Sequence, residues 1–145
     1  MGYHLRGLLL PASVVPPAGL HSVILPQSLT LIPLPDDVLD ALPEASPPVT
    51  PTAGFTHLTV SLEVLIGQLS QAGRVAYVEA EYCGGTGSQV AAVWDGGRVL
   101  WGPERAERGP VNHALRLLGV RRTDSHDEFG SVGLDRHRHL EDWLE

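Results

Sequence analysis

A chain of 145 residues, 43% hydrophobic and 19% charged, has the size of one domain and can bury a core without metal or disulfide. Seventeen acids against ten bases, every base an arginine, give a net charge of -7, which argues against sequence-independent nucleic-acid binding because that rests on a basic patch. The single cysteine, Cys83, excludes an internal disulfide framework and a Cys-rich zinc site.

No apolar run approaches the roughly 18 residues of a membrane span. The leucines before Pro11 are too short a core for a signal peptide. A soluble, cytoplasmic protein is the expectation. Ten of the twelve prolines fall in residues 1–51, and seven of the ten arginines fall in residues 103–145. One domain is therefore expected, with a proline-rich, irregular N-terminal arm over about 1–54.

In chain order, Leu5–Leu10, His21–Leu25 and Ser28–Ile32 are short apolar strand candidates, each closed by a proline. Pro35–Leu42 reads as a short helix, with Asp36 and Asp37 at the positive end of its dipole. Residues 44–54 hold three prolines and read as a surface loop of polyproline character. Leu58, Leu62, Leu65, Ile66 and Leu69 then form one helical stripe, with Thr59 or Ser61 as cap and Gly73 as terminator. Arg74–Tyr82 alternates as a strand. Ser88–Trp94 returns after the glycine run, and Asp95-Gly96-Gly97 turns into a third strand over Arg98–Trp101. A second helix starts at Pro110 and ends at Gly119. Beyond it, short helical turns are expected to pack Phe129, Leu134 and Trp143. The fold class is α+β: an antiparallel sheet of about four to six strands with two main helices on one face.

The segment Tyr77–Gln89 is the most unusual in the chain. Gly84, Gly85 and Gly87 allow close backbone approach, either as a tight strand connection or as an anion-binding nest. No lysine is present for a phosphate-binding loop, and the glycine spacing is wrong for a dinucleotide fingerprint. Glu79 and Glu81 share one face of a strand, as a solvated pair or as groups that meet a cation. Cys83 is a small hydrophobe or a nucleophile without a family signature. His137 and His139 lack an evident third ligand for zinc. No catalytic residue, metal or cofactor is assigned.

Tyr77–Trp94, Val111–Val120 and Asp127–Leu134 together resemble small bacterial proteins that include immunity partners of secreted toxins. The resemblance implies a non-enzymatic inhibitor or immunity factor that meets a basic protein, a toxin, through a rigid acidic surface. The acidic end of the 74–82 strand and the loop after it are the expected contact: Glu79, Glu81, Tyr82, Gly84, Gly85, Gly87 and Gln89. The alternative is a small-ligand or metal-dependent enzyme using the glycine loop, Glu79, Glu81 and a histidine. Neither nucleic acid nor membrane is an expected partner, and the oligomeric state stays open.

Overall fold

The computed structural model describes residues 2–43, 52–123 and 126–144. Six strands form one antiparallel sheet: β1 (Tyr3–Leu10), β2 (Val23–Leu25), β3 (Leu29–Pro33), β4 (Val75–Cys83), β5 (Thr86–Asp95) and β6 (Arg98–Ala106). Their spatial order is β2-β3-β1-β4-β5-β6. The helices are α1 (Asp36–Asp40), α2 (Val60–Leu69), α3 (Pro110–Leu117) and α4 (Glu128–Ser131), with a 3-10 turn over Leu140–Leu144. The α+β class and the antiparallel sheet are as expected. Among the described residues, no helix is long and apolar enough to cross a membrane.

The β4–β5–β6 meander follows from its turns. Gly84 and Gly85 both have positive φ, as do Gly96 and Gly97, and two-residue connections of this kind match the twist of the strands they join. The first turn is shorter than the glycine run suggests, because Thr86 and Gly87 already belong to β5. Gly87 sits opposite Tyr82 for a different reason. A Cβ there would come within 2.0 Å of the Glu81 carbonyl oxygen.

Residues 3–33 are not an irregular arm. β1 pairs with β3 on one side and β4 on the other, so these residues supply half of the strands, including the inner strands β1 and β3. Proline did its work at the strand ends rather than against the strands: Pro11 follows β1 and Pro26 follows β2. The proline-rich stretch 44–51 lies outside the described residues.

The two main helices lie on opposite faces of the sheet, not on one. Alternate residues of β4 and β5 point to the two sides. Ala76, Val78, Ala91 and Val93 pack with Val111, Ala114 and Leu115 of α3, and with Leu134, Leu140 and Trp143 beyond it. Val75, Tyr77, Ala92 and Trp94 pack with Leu62 and Ile66 of α2 and with Leu8 and Leu10 of β1. The expectation of a single covered face leaves the other side of the sheet to solvent, as antiparallel sheets commonly do. With β1 and β3 as further inner strands, the middle strands are apolar on both faces and need cover on both.

Of the two caps expected for α2, Thr59 is the one used: the Leu62 N–H donates to Thr59 Oγ1 at 3.1 Å. The helix ends at Leu69, four residues short of Gly73. Gly73 is needed instead for close packing, since a Cβ there would stand 2.4 Å from Ser13 Oγ.

Candidate functional site

The α2 side of the sheet changes character along β4. Val75 and Tyr77 are fully buried, Glu79 is 7% exposed, and Glu81 and Cys83 are exposed. β1 repeats the gradient in register, from Leu8 opposite Tyr77 to Arg6 opposite Glu79 and His4 opposite Glu81. The apolar half lies under α2, and the polar half opens as a cleft.

The boundary between the halves is a loop pinned by Glu79. Its Oε1 accepts the Thr56 N–H at 2.9 Å, and its Oε2 accepts the His57 N–H at 2.8 Å and the Tyr77 hydroxyl at 2.6 Å. A buried carboxylate needs such donors, because leaving it unsolvated and unpaired costs several kcal/mol. Burial, then the neighbouring Glu79 charge and hydrogen bond, push the Tyr77 hydroxyl well above its ordinary pKa, so it stays protonated as a donor. Phe55 fills the apolar side of the same loop. Its ring centroid stands 4.9 Å from that of Tyr77 and 6.3 Å from that of Trp94. Arg105 of β6 ties the loop from the other side, donating to the Gly54 carbonyl at 3.2 Å and to Ser88 Oγ at 3.0 Å.

Beyond this loop lie two adjoining clefts. The first, about 310 Å³, is lined among others by Arg6, Glu79, Cys83, Ser88 and Arg105. The second, about 300 Å³, has Asp36, Glu141 and Pro35 in its walls. His4, Arg6, His57 and Glu81 line both, so the two form one groove. Arg6 lies at its junction, 3% exposed, with Nε donating to the Leu34 carbonyl at 2.6 Å and Nη2 to Asp36 Oδ1 at 2.8 Å.

The sequence-predicted contact residues divide between the two faces. Glu79, Glu81 and Gly87 line the groove. Glu79 is not part of an open acidic face: it is buried and hydrogen-bonded within the domain. Tyr82 and Gln89 belong to the α3 side. Gln89 Oε1 accepts the Val111 N–H at 2.7 Å, and its amide donates to the Tyr82 hydroxyl at 2.9 Å, which in turn donates to the Glu107 carbonyl. This chain secures an N–H in the first turn of α3, whose N-cap, Gly109, has no side chain to do so. Gly84 and Gly85 make the turn at the groove's end.

Among the groove residues that sequence reasoning missed are His4, Arg6, Asp36, His57, Arg105 and Glu141. His4 and Arg6 did leave a trace: two polar residues two apart open an otherwise leucine-rich strand and so mark one face. His139 and His137, the pair weighed for zinc, are elsewhere, and the His137 ring meets Trp143 edge-on at 4.6 Å. No protein-family model, curated protein or solved structure matches the chain.

Proposed function

We propose that the protein is a non-enzymatic binding protein for a basic partner, of the inhibitor or immunity type, and that the groove beside Glu81 receives the partner. One observation carries this reading. Glu81 of β4, Asp36 at the start of α1 and Glu141 of the C-terminal 3-10 turn come from three distant parts of the chain and wall one cleft. Among the described residues, Glu81 and Glu141 have no ion-pair partner. Carboxylates gathered at a groove on a body of charge -7 attract a basic surface and speed its approach. The test is capture of a partner from a lysate of the source cells at low salt, by the natural protein and by Glu81→Arg side by side. The expected catch is a basic protein lost at high salt and reduced at least ~tenfold by the variant, as for an interfacial charge reversal. Equal capture by both proteins would place the interface elsewhere.

A second reading, a small-ligand enzyme, is supported by the meeting of His4, His57, Glu81 and Cys83 in the first cleft. Glu79 is unsuited to acid–base work in that reading, since both of its oxygens hold the loop. Cys83→Ser would abolish covalent chemistry and leave partner capture unchanged.

A further inference from the structure

Arg6 uses two of its three nitrogens internally, on Leu34 and Asp36. Among the described residues, nothing accepts a hydrogen bond from the third, Nη1. Arg6 lines both clefts of the groove. Among the described residues, Asp36 is the one carboxylate within 4.0 Å of the guanidinium. A guanidinium this buried, with an unused donor at the floor of a cleft, is set to take an acceptor, and a carboxylate makes the strongest such bond. Phosphate suits the place less well. Glu81 and Asp36 in the same walls repel a dianion more strongly than a single carboxylate.

The groove thus presents opposite demands side by side. Arg6, flanked by His4 and His57, offers a donor to an anion, while Glu81 and Glu141, which have no ion-pair partner among the described residues, are acceptors for a cation. Each cleft is near the lower end of ligand-pocket volumes, roughly 300–1,000 Å³, which suits a group of single-residue size. We infer that the groove takes a basic residue bearing a free carboxylate, the C-terminal arginine or lysine of the partner chain. The carboxylate meets Arg6 Nη1, and the side-chain cation meets Glu81 and Glu141. This rests on the partner reading above and names the part of the partner that is read.

The experiment is an NMR titration of the isotope-labelled full chain with acetyl-Ala-Gly-Arg as free acid, its C-terminal amide, the free acid of acetyl-Ala-Gly-Ala, and inorganic phosphate. Using ligand variants avoids any substitution at buried Arg6. The free-acid arginine peptide should shift the Thr56, His57 and Glu81 amide signals saturably. The amide and the alanine peptide should each bind about tenfold more weakly, the effect of losing one charge-assisted contact. Glu81→Gln should weaken the arginine peptide by a similar factor and leave the alanine peptide unaffected. Equal binding of acid and amide would overturn the carboxylate contact while leaving a basic partner in place. Phosphate binding more tightly than the arginine peptide, or no saturable shift with any peptide, would overturn the inference. In either case the basic-partner reading is still decided separately, by Glu81→Arg in the capture experiment.

Discussion

The two faces of the sheet are made by the same inner strands, yet they are finished differently. On the α3 side, apolar cover runs from Val93 to Ala80 and on to Tyr82, which like Tyr3 and Phe129 packs against the same cluster. On the α2 side, apolar cover from this cluster stops at Tyr77 and its partner Ala92, and a single buried carboxylate carries the chain over the edge. The difference lies in how much chain each face has to cover it. One ten-residue helix spans about 15 Å, less than the length of a nine-residue strand such as β4, roughly 30 Å. The other face is covered by α3, α4 and the C-terminal turn together. What the short helix leaves uncovered becomes a groove, and the groove's polarity is set by His4, Arg6, Glu79 and Glu81.

The most direct way to break this contrast is to remove the carboxylate at the boundary. Glu79→Ala leaves the Thr56 and His57 N–H groups and the Tyr77 hydroxyl without acceptors in a site 7% exposed. A loss of about 3–5 kcal/mol is expected in urea unfolding, as for other broken buried polar networks. Glu79→Gln keeps one acceptor oxygen and should lose about half as much. A change below 1 kcal/mol in Glu79→Ala would mean that α2 and Phe55 hold the loop unaided.

Phe55 sharpens the comparison from the apolar side. Its ring, five residues before the start of α2, packs against those of Tyr77 and Trp94. Phe55→Ala should cost about 2 kcal/mol, somewhat less than a fully enclosed phenylalanine because this one is half-buried. Hydrogen exchange should locate the damage: the Thr56 and His57 amides lose protection, while those of α3 keep theirs. Equal loss on both faces would show that the faces unfold as one unit.

How much of this was legible in the sequence depends on the range over which each feature is determined. The β4–β5–β6 meander and α3 rest on local chemistry: glycine pairs with positive φ and a proline at the first helical position. Thr59, too, was identifiable as a cap from its place before an apolar stripe. β1 between β3 and β4 rests on pairings across some seventy residues, and nothing local to Tyr3–Leu10 states its neighbours. Without that pairing, His4 and Arg6 could not be set beside Glu81 and Glu79, nor could α2 and α3 be assigned opposite faces. Glu79 and Glu81 show the same limit at single-residue scale. Alternation placed both on one face, but only the returning loop at Thr56 and His57 makes one of them structural.

The faces should also answer to opposite ends of the pH scale. On the groove side, the Tyr77 hydroxyl is raised above its ordinary value by burial and by Glu79. Its contribution is complete below the unfolded value of about 10 and is lost as pH rises beyond it, since the unfolded chain then ionises first. Tyr77→Phe should flatten that alkaline loss and, at neutral pH, cost about 1.5–3 kcal/mol for its bond to a charged acceptor. On the closed face, Asp127 caps α4, accepting from the Gly130 N–H and the Asn112 amide at 2.9 Å each. Partial burial works against its charge, but these bonds and Arg122 outweigh it and hold the carboxyl below the usual range. Its contribution is therefore present above the unfolded value of about 3.9 and disappears as pH falls through the folded one. Asp127→Ala should cost about 1 kcal/mol at neutral pH, as for other lost N-caps, and less in acid. Unfolding curves of the two variants against pH test both signs, and an acid-sensitive Tyr77 or an alkaline-sensitive Asp127 would contradict them.

The smallest expected effect is the most discriminating. Glu81 lies two residues from Glu79 on the same strand face and has the same side chain, but it is exposed and has no ion-pair partner among the described residues. Its replacement removes no side-chain hydrogen bond among the described residues. Glu81→Arg should therefore change stability by no more than about 0.5 kcal/mol, the usual range for a surface site. The same exchange at Glu79 would bury an unpaired cation against two N–H donors and should abolish folding. The comparison thus separates a carboxylate that closes the sheet from one left free at the groove's rim. If Glu81→Arg unfolds the protein to a similar degree, Glu81 is holding His4 or Arg6 in place through the fold, and its role as an acceptor for a partner fails. If it folds normally, with Thr56 and His57 still protected from exchange, any change in partner capture by this variant is a property of the groove and not of the loop beside it.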